Sequence, residues 1–316
     1  MDEIVNISEN AQDIKMKIII YPHLPFNLSD GGTTVHYYFA KLLSERGIDI
    51  KIYDKYKQNV ENKIYSVYFN NKYDYIDDNT IIVYCEGIVG NPLGAKKVVR
   101  WILSKLGMNV HYNMVHTWNK NELVYFFNSE ISFFEKPEKI NTIYKMLSLL
   151  YINPDIRNYN EPNRNGYCHT FRKGHIKTRI HPNNSFEITR QNTQDDYIQI
   201  FNKKEYFISY DTLTFLSIIS ALCGCISIVQ KNDNINKEEW LRSTALKEYL
   251  QHTNTVLYGI AYGNDYAEIQ HARDTLHLVD EQWKNIQQFY MSHVDNFIHD
   301  MKNFEKNKNT IKNVYF

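Results

Sequence analysis

Tyr206-Phe207-Ile208-Ser209-Tyr210-Asp211-Thr212-Leu213-Thr214-Phe215, running on through Leu216-Ser217-Ile218-Ile219-Ser220-Ala221-Leu222-Cys223-Gly224 into Cys225-Ile226-Ser227-Ile228-Val229, is the stretch that decides the fold. A strand-length apolar run, a short polar turn, an apolar helical run stopped by glycine and a second strand make a βαβ unit. Such units build parallel sheets with right-handed crossovers. A helix from about Leu213 to Cys223 would aim its free N–H groups and the positive end of its dipole at an anion such as phosphate. Ser209, Thr212 and Thr214 would add neutral donors around Tyr210 and Asp211. The same residues also admit a plainer reading, in which Asp211 or Thr212 caps the helix and Ala221 and Gly224 serve close packing and a C-terminal stop.

The pattern repeats on either side. Lys17 to Tyr21 is a continuous apolar strand of the kind buried on both faces of a parallel sheet. A turn with Asp30-Gly31-Gly32-Thr33-Thr34 follows, then a helix with Val35, Tyr38, Phe39, Leu42 and Leu43 on its apolar side, closed by Gly47, and a strand from Ile48 to Tyr53. Thr80 to Tyr84 is a further strand, and the spacing predicts a helix from about Ala95 to Leu106 and strands at Val110 to Val115 and Leu123 to Phe127. The polar run from Pro154 to Gly166 is the expected linker. Beyond it, strands are expected at Tyr167 to Phe171, Glu205 to Ser209, Cys225 to Val229 and Thr255 to Ile260, with helices around Lys237 to Gln251, Asp265 to Leu276 and Glu281 to Asn303. Residues 1–15 are expected to be a flexible leader, 16–155 and 166–280 two domains, and 281–316 a terminal helix and tail.

With 316 residues, 43% hydrophobic and 23% charged, the chain can bury two cores. Its net charge is zero and its pI is near 7.2, so no broad basic field draws it to nucleic acid or anionic lipid. No nucleic-acid partner is expected, and any bound anion must be held locally. Cys85, Cys168, Cys223 and Cys225 lack metal-type spacing and read as reduced, buried thiols of a cytoplasmic protein. The polar N-terminus lacks the regions of a signal peptide, and the run Phe215 to Val229 is too short to span a bilayer. The histidines are scattered without metal-binding spacing, so no metal site and no cofactor are expected.

Three further places carry candidate chemistry. Cys85-Glu86-Gly87-Ile88-Val89-Gly90-Asn91-Pro92-Leu93-Gly94-Ala95 puts a carboxylate at a strand end, where Glu86 could act as a base on a hydroxyl or cap a following helix. The following Val98-Val99-Arg100-Trp101 reads as packing. Cys168-His169-Thr170-Phe171-Arg172-Lys173-Gly174 ends a strand with a basic pair that could be exposed or could hold phosphate. In Ala261-Tyr262-Gly263-Asn264-Asp265, Tyr262 could stack on a base or sugar, and Asp265 reads as a helix cap.

The 206–229 block resembles the donor-binding element of retaining GT-B glycosyltransferases of the group-1 type, and the Glu86 to Trp101 block is similar to one in bacterial and large-virus relatives. That resemblance implies an α/β chain of two Rossmann-like domains facing across a cleft, with a C-terminal helix crossing back. It implies a nucleotide-diphosphate sugar donor, a glycan or other hydroxyl acceptor, and Asp211 and Glu86 as catalytic carboxylates. The donor would be held by Gly31, Gly32, Thr33, Arg172, Lys173, Ser209, Tyr210, Thr212, Thr214 and Tyr262. Those enzymes commonly carry two glutamates separated by seven residues; here Asp211 takes the first place and Ile219 stands in the second. The departure keeps two alternatives open: a GT-B-fold binding or scaffold protein without catalysis, and a sugar-nucleotide epimerase. A homo-oligomer and, for a viral protein, the host cytoplasm are compatible with the sequence.

Overall fold

The computed structural model describes residues 16–26, 31–53, 66–67, 76–107, 110–128, 144–171 and 177–304. They form two compact units: residues 1–27, 32–147 and 296–316 make the first, and 28–31 with 148–295 the second. The division falls at Leu147 and Ser148, ahead of the polar run 154–166.

The first unit holds β1 (Lys17–Tyr21), α1 (Gly31–Glu45), β2 (Asp49–Tyr53), β3 (Ser66–Val67), β4 (Ile81–Cys85), β5 (Lys97–Ile102), β6 (Leu123–Phe126) and β7 (Tyr144–Met146). The strands pair in parallel in the order β3-β2-β1-β4-β5-β6-β7. The order reverses between β1 and β4, the switch point at which doubly wound sheets bind ligands beyond the strands' carboxyl ends. Every residue of β4 is buried, which explains its unbroken apolar run.

Two expectations in this unit are corrected. The segment expected to be a helix near 95–106 is strand β5: Val98, Val99, Trp101 and Ile102 are β-branched or aromatic and buried on both faces, so no helical period marks them. The strand expected at 110–115 is instead a 3₁₀ turn, Tyr112–Thr117, whose start is held by the His111 side chain accepting from the Asn113 N–H. Arg100 and Trp101 do pack as read. Arg100 is fully buried; its Nε donates to Glu122 Oε2 at 2.6 Å, and its other nitrogens donate to the Ile88 and Gly90 carbonyls at 2.9 and 2.5 Å. Trp101 Nε1 donates to the Leu147 carbonyl at 3.0 Å.

In the second unit, β8 (Tyr167–Thr170), β9 (Phe186–Glu187), β10 (Tyr206–Ser209), β11 (Ile226–Val229) and β12 (Ile260–Tyr262) pair in parallel in the order β12-β11-β10-β8-β9. Its switch point lies between β8 and β10. The helices are α2 (Gln194–Lys203), α3 (Leu216–Leu222), α4 (Lys237–Ser243), α5 (Lys247–Thr253) and α6 (Tyr266–Thr275). Sequence reading passes over α2, although Thr193 and Asp196 close a capping box around its first turn. The single helix expected over 237–251 is two, because Thr244 leaves α4 in an extended conformation.

The polar run 154–166 is packed into this unit. Arg164 donates to the Phe201 and Cys223 carbonyls at 2.7 and 2.6 Å and to Asn158 Oδ1 at 2.6 Å. Gly224, at φ +82°, leaves room for this: a Cβ there would stand 2.7 Å from the Asn158 amide. The last helix, α7 (Val279–Lys302), belongs to the second unit through Asp295 and to the first from Asn296. In the first unit its Phe297 packs edge-on against Phe39 and Tyr125. Its buried Asp300 accepts from Tyr125 Oη at 2.6 Å and pairs with Lys145.

Candidate functional site

At the carboxyl ends of β8 and β10, three segments that are distant in sequence meet. Lys177, half-buried, donates from Nζ to Thr212 Oγ1 at 2.9 Å and to the Gln230 carbonyl at 2.8 Å. It is therefore fastened to the turn after β10 and to the end of β11. Burial lowers its pKa below the ordinary lysine value, and the charges of Asp211 and Asp233 pull it back up. Asp211 is 5% exposed at the end of β10. A cation and a carboxylate thus share the carboxyl edge of the second sheet, the cation held over the ends of β10 and β11. Lys177 is the residue that sequence reading missed; a lone lysine in a polar run carries no pattern, and its partners lie in the turn after β10 and just after β11.

The turn after β10 differs from its expected form. Helix α3 begins at Leu216, three residues later than expected, and its cap residue Phe215 makes no side-chain cap bond. Thr214 Oγ1 accepts from the Leu216 N–H at 3.3 Å. Neither Asp211 nor Thr212 caps the helix, so the capping alternative for Asp211 does not hold. The turn is pinned otherwise: Ser209, fully buried, donates from Oγ to the Asp211 carbonyl at 2.8 Å, and Trp240 Nε1 donates to the Thr212 carbonyl at 2.8 Å. Ile219, in the place of the second acidic residue, is 8% exposed on α3.

Tyr210 and Tyr262 lie below the surface. Tyr210 is 0% exposed and stacks on Phe171, with ring centres 4.3 Å apart. Its hydroxyl accepts from the N–H groups of Ile180 and His181 at 2.7 and 3.2 Å and meets His181 Nδ1 at 2.7 Å. It holds the segment that carries Lys177. Tyr262, expected to stack on a ligand, is 2% exposed and stacks on Trp240 instead, while its hydroxyl donates to the Ile235 carbonyl. Asp265 occupies the cap position of α6 without a side-chain cap bond and pairs with Lys231. Arg172 and Lys173 lie outside the described residues.

In the first unit, Glu86 is 7% exposed after β4. The Leu103 and Ser104 N–H groups and the Ser104 hydroxyl donate to its carboxylate at 3.0, 3.2 and 2.7 Å. It caps no following helix, since β5 comes next. The Gly-Asn-Pro turn is fixed by Asn91, whose Oδ1 accepts from Tyr84 Oη at 2.9 Å and from the Ala95 N–H at 3.2 Å. Gly87 packs so closely on His23, after β1, that a Cβ would stand 2.7 Å from the ring. Gly31 and Gly32, expected in a turn, are the first residues of α1, and Thr33 is 4% exposed.

The four cysteines are buried and unpaired. Among the described residues no group of three or more His, Cys, Asp or Glu is placed to hold a metal ion, and no described helix is long and apolar enough to cross a membrane.

No protein-family model matches the chain, and no curated protein matches it. Solved structures do. A glycosyltransferase from Rickettsia africae ESF-5 is 12% identical and superposes with a TM-score of 0.51, covering 92% of this chain and 99% of that one. The chain has the GT-B fold. Also similar are the structure of trehalose-6-phosphate from E. coli bound with UDP-2-fluoro glucose, at 8% identity, 90% and 99% coverage and a TM-score of 0.49, and the β-glucosyltransferase of T4 phage, at 12%, 94% and 100%, and 0.41.

The stacked imidazoles beside the site make the second unit sensitive to acid. His169, buried on β8, faces His181 at 3.7 Å between ring centres. Burial, with repulsion from His181 and Arg179, lowers its pKa from the ordinary 6.5 to about 4. The folded state therefore binds this proton less readily than the unfolded chain, so its contribution to stability is whole above the ordinary value and is lost as pH falls toward 4. About 2 kcal/mol of stability is expected to go between pH 7 and pH 5 from this group. Urea midpoints at the two pH values should show it, and His169→Gln should flatten the difference; an equal acid loss in the variant would move the cause elsewhere.

Proposed function

We propose that the chain is a glycosyltransferase that moves a sugar from a nucleoside-diphosphate sugar to a hydroxyl group of a glycan or other acceptor. The observation that carries this reading is Lys177, an ammonium group fixed at the carboxyl edge of the second sheet within electrostatic reach of buried Asp211. That edge is where an open parallel sheet receives a ligand. The fold, shared with a protein described as a glycosyltransferase, supports the same class.

In this reading Lys177 faces the donor diphosphate, joined by Arg172 and Lys173 from the preceding segment. As the bond between the anomeric carbon and the phosphate oxygen breaks, its electron pair passes to the diphosphate, whose growing charge the cations stabilise. The acceptor oxygen bonds to the anomeric carbon, and its proton passes to the leaving phosphate on the same face of the sugar. The configuration is thereby retained without a side-chain nucleophile. Asp211 supplies negative charge that offsets the positive charge developing on the sugar. Ser209, Tyr210 and Tyr262 shape the edge from beneath. Gly32, Thr33 and Glu86 belong to the first unit and Gly31 to the second; Glu86 orders the ends of β4 and β5. Protein cations stand where other enzymes place a metal ion, so the reaction is expected to need none.

A panel of nucleotide sugars, assayed with and without hydroxyl acceptors and with EDTA, tests this. Release of nucleoside diphosphate that rises with an acceptor and survives EDTA is the expected result. Binding without release would favour the non-catalytic alternative, and activity lost to EDTA and restored by manganese would overturn the metal-free mechanism.

A further inference from the structure

We infer that His181 is a positioning residue of this site that works only as the neutral imidazole: with Tyr210 it locks the segment carrying Lys177, and a proton on the ring opens the lock. The inference rests on the reading of Lys177 as the diphosphate cation.

A tyrosine hydroxyl has one proton to donate and two lone pairs to accept with. In Tyr210 both acceptor positions are taken by backbone N–H groups, those of Ile180 at 2.7 Å and His181 at 3.2 Å. Its proton is left for His181 Nδ1, 2.7 Å away. That nitrogen must carry no proton, so the ring is neutral with its proton on Nε2. An imidazolium would bring a second donor against a hydroxyl with no lone pair to spare, and one of the three bonds would break.

The surroundings impose the same demand. His169 stacks on His181 at 3.7 Å with 11° between the planes, so charge on both rings would be repelled face to face. Arg179 lies 5.3 Å from the Phe171 ring, itself 5.5 Å from His181, and adds positive charge. Ser185 meets His169 Nδ1 at 2.8 Å, and Glu187, on β9, is the opposing carboxylate. Burial lowers the pKa of His181 from its ordinary value, with Arg179 as the next cause.

The lock fixes where Lys177 stands. Ile180 and His181 are tied to Tyr210, Thr178 is tied through its carbonyl to Gln230 Nε2 at 2.8 Å, and the ammonium group reaches Thr212 and the Gln230 carbonyl from there. Freed at Tyr210, the segment would carry Lys177 away from the edge.

Two readouts test the lock: protection of the Ile180 and His181 amides against hydrogen exchange, and UDP affinity by calorimetry. Both are followed from about pH 7.5 to about pH 4.5 on protein shown to remain folded. In the natural protein both are expected to fall about tenfold or more on acidification. Tyr210→Phe keeps the ring stacked on Phe171 but removes both acceptor positions, so protection and affinity should be low at every pH. In His181→Asn the amide oxygen can take the phenol proton and does not titrate, so most of the acid-dependent fall should vanish. Amide protection indifferent to pH, or undiminished acid sensitivity in His181→Asn, overturns the lock whatever UDP does. Acid-sensitive protection without a matching change in UDP affinity overturns its coupling to the site. If Lys177→Met also leaves UDP binding intact, the donor reading itself fails.

Discussion

Lys177→Met is expected to weaken nucleoside-diphosphate binding by up to about a hundredfold while leaving the fold intact. Methionine keeps the length of the stem and loses only the ammonium group. That group makes two hydrogen bonds to the protein, at 2.9 and 2.8 Å, and in the proposed complex it turns toward the phosphates. A charge-assisted contact of this kind contributes roughly 1.5–3 kcal/mol. The loss should fall on kcat as well as on binding, since the diphosphate gains charge as it leaves. Calorimetric titration with UDP and steady-state kinetics check both. Unchanged affinity in a folded variant would remove Lys177 from the donor site.

Asp211→Asn carries the largest expected effect on turnover. Were Asp211 a helix cap, asparagine would replace it almost silently. The structure removes that possibility, because α3 starts at Leu216 and Thr214 makes the bond to its first N–H. What the substitution removes is charge, in a group 5% exposed and within electrostatic reach of Lys177. Negative charge at this edge favours the charged form of Lys177 against the burial that lowers its pKa and, in the proposed complex, offsets positive charge on the sugar in the transition state. A fall in kcat of about a hundredfold or more is expected, with the melting temperature little changed. Wild-type turnover in Asp211→Asn would leave the carboxylate without a part in catalysis.

Much of this molecule is visible in its sequence, for reasons that individual residues make plain. The run from Tyr206 to Val229 declares itself because glycine closes its helix and both strands are buried, and Gly224 does adopt the left-handed conformation that such a stop requires. Val98-Val99-Arg100-Trp101 is harder to read. A strand covered on both faces has no period, so the segment reads as packing but not as a strand, and the partner that lets Arg100 be buried, Glu122, lies 22 residues away. The same limit governs the site. Tyr210 and Tyr262 stand at strand ends, where an aromatic ring could meet a ligand, but only packing against Phe171 and Trp240 shows that both rings point inward. Lys177 gains its meaning from Thr212 and Gln230, so a linear motif search passes over it. The place of the carboxylate at 211 is legible because it follows a strand's end before a turn, where chain order alone puts it at the carboxyl edge of the sheet.

A crystal structure of the protein with UDP would show whether the carboxyl ends of β8 and β10 hold the donor diphosphate as proposed. Both phosphates are expected at the carboxyl ends of these strands, with a phosphate oxygen within hydrogen-bond distance of Lys177 Nζ. UDP bound elsewhere on the chain, with Lys177 still held by Thr212 and Gln230, would contradict it.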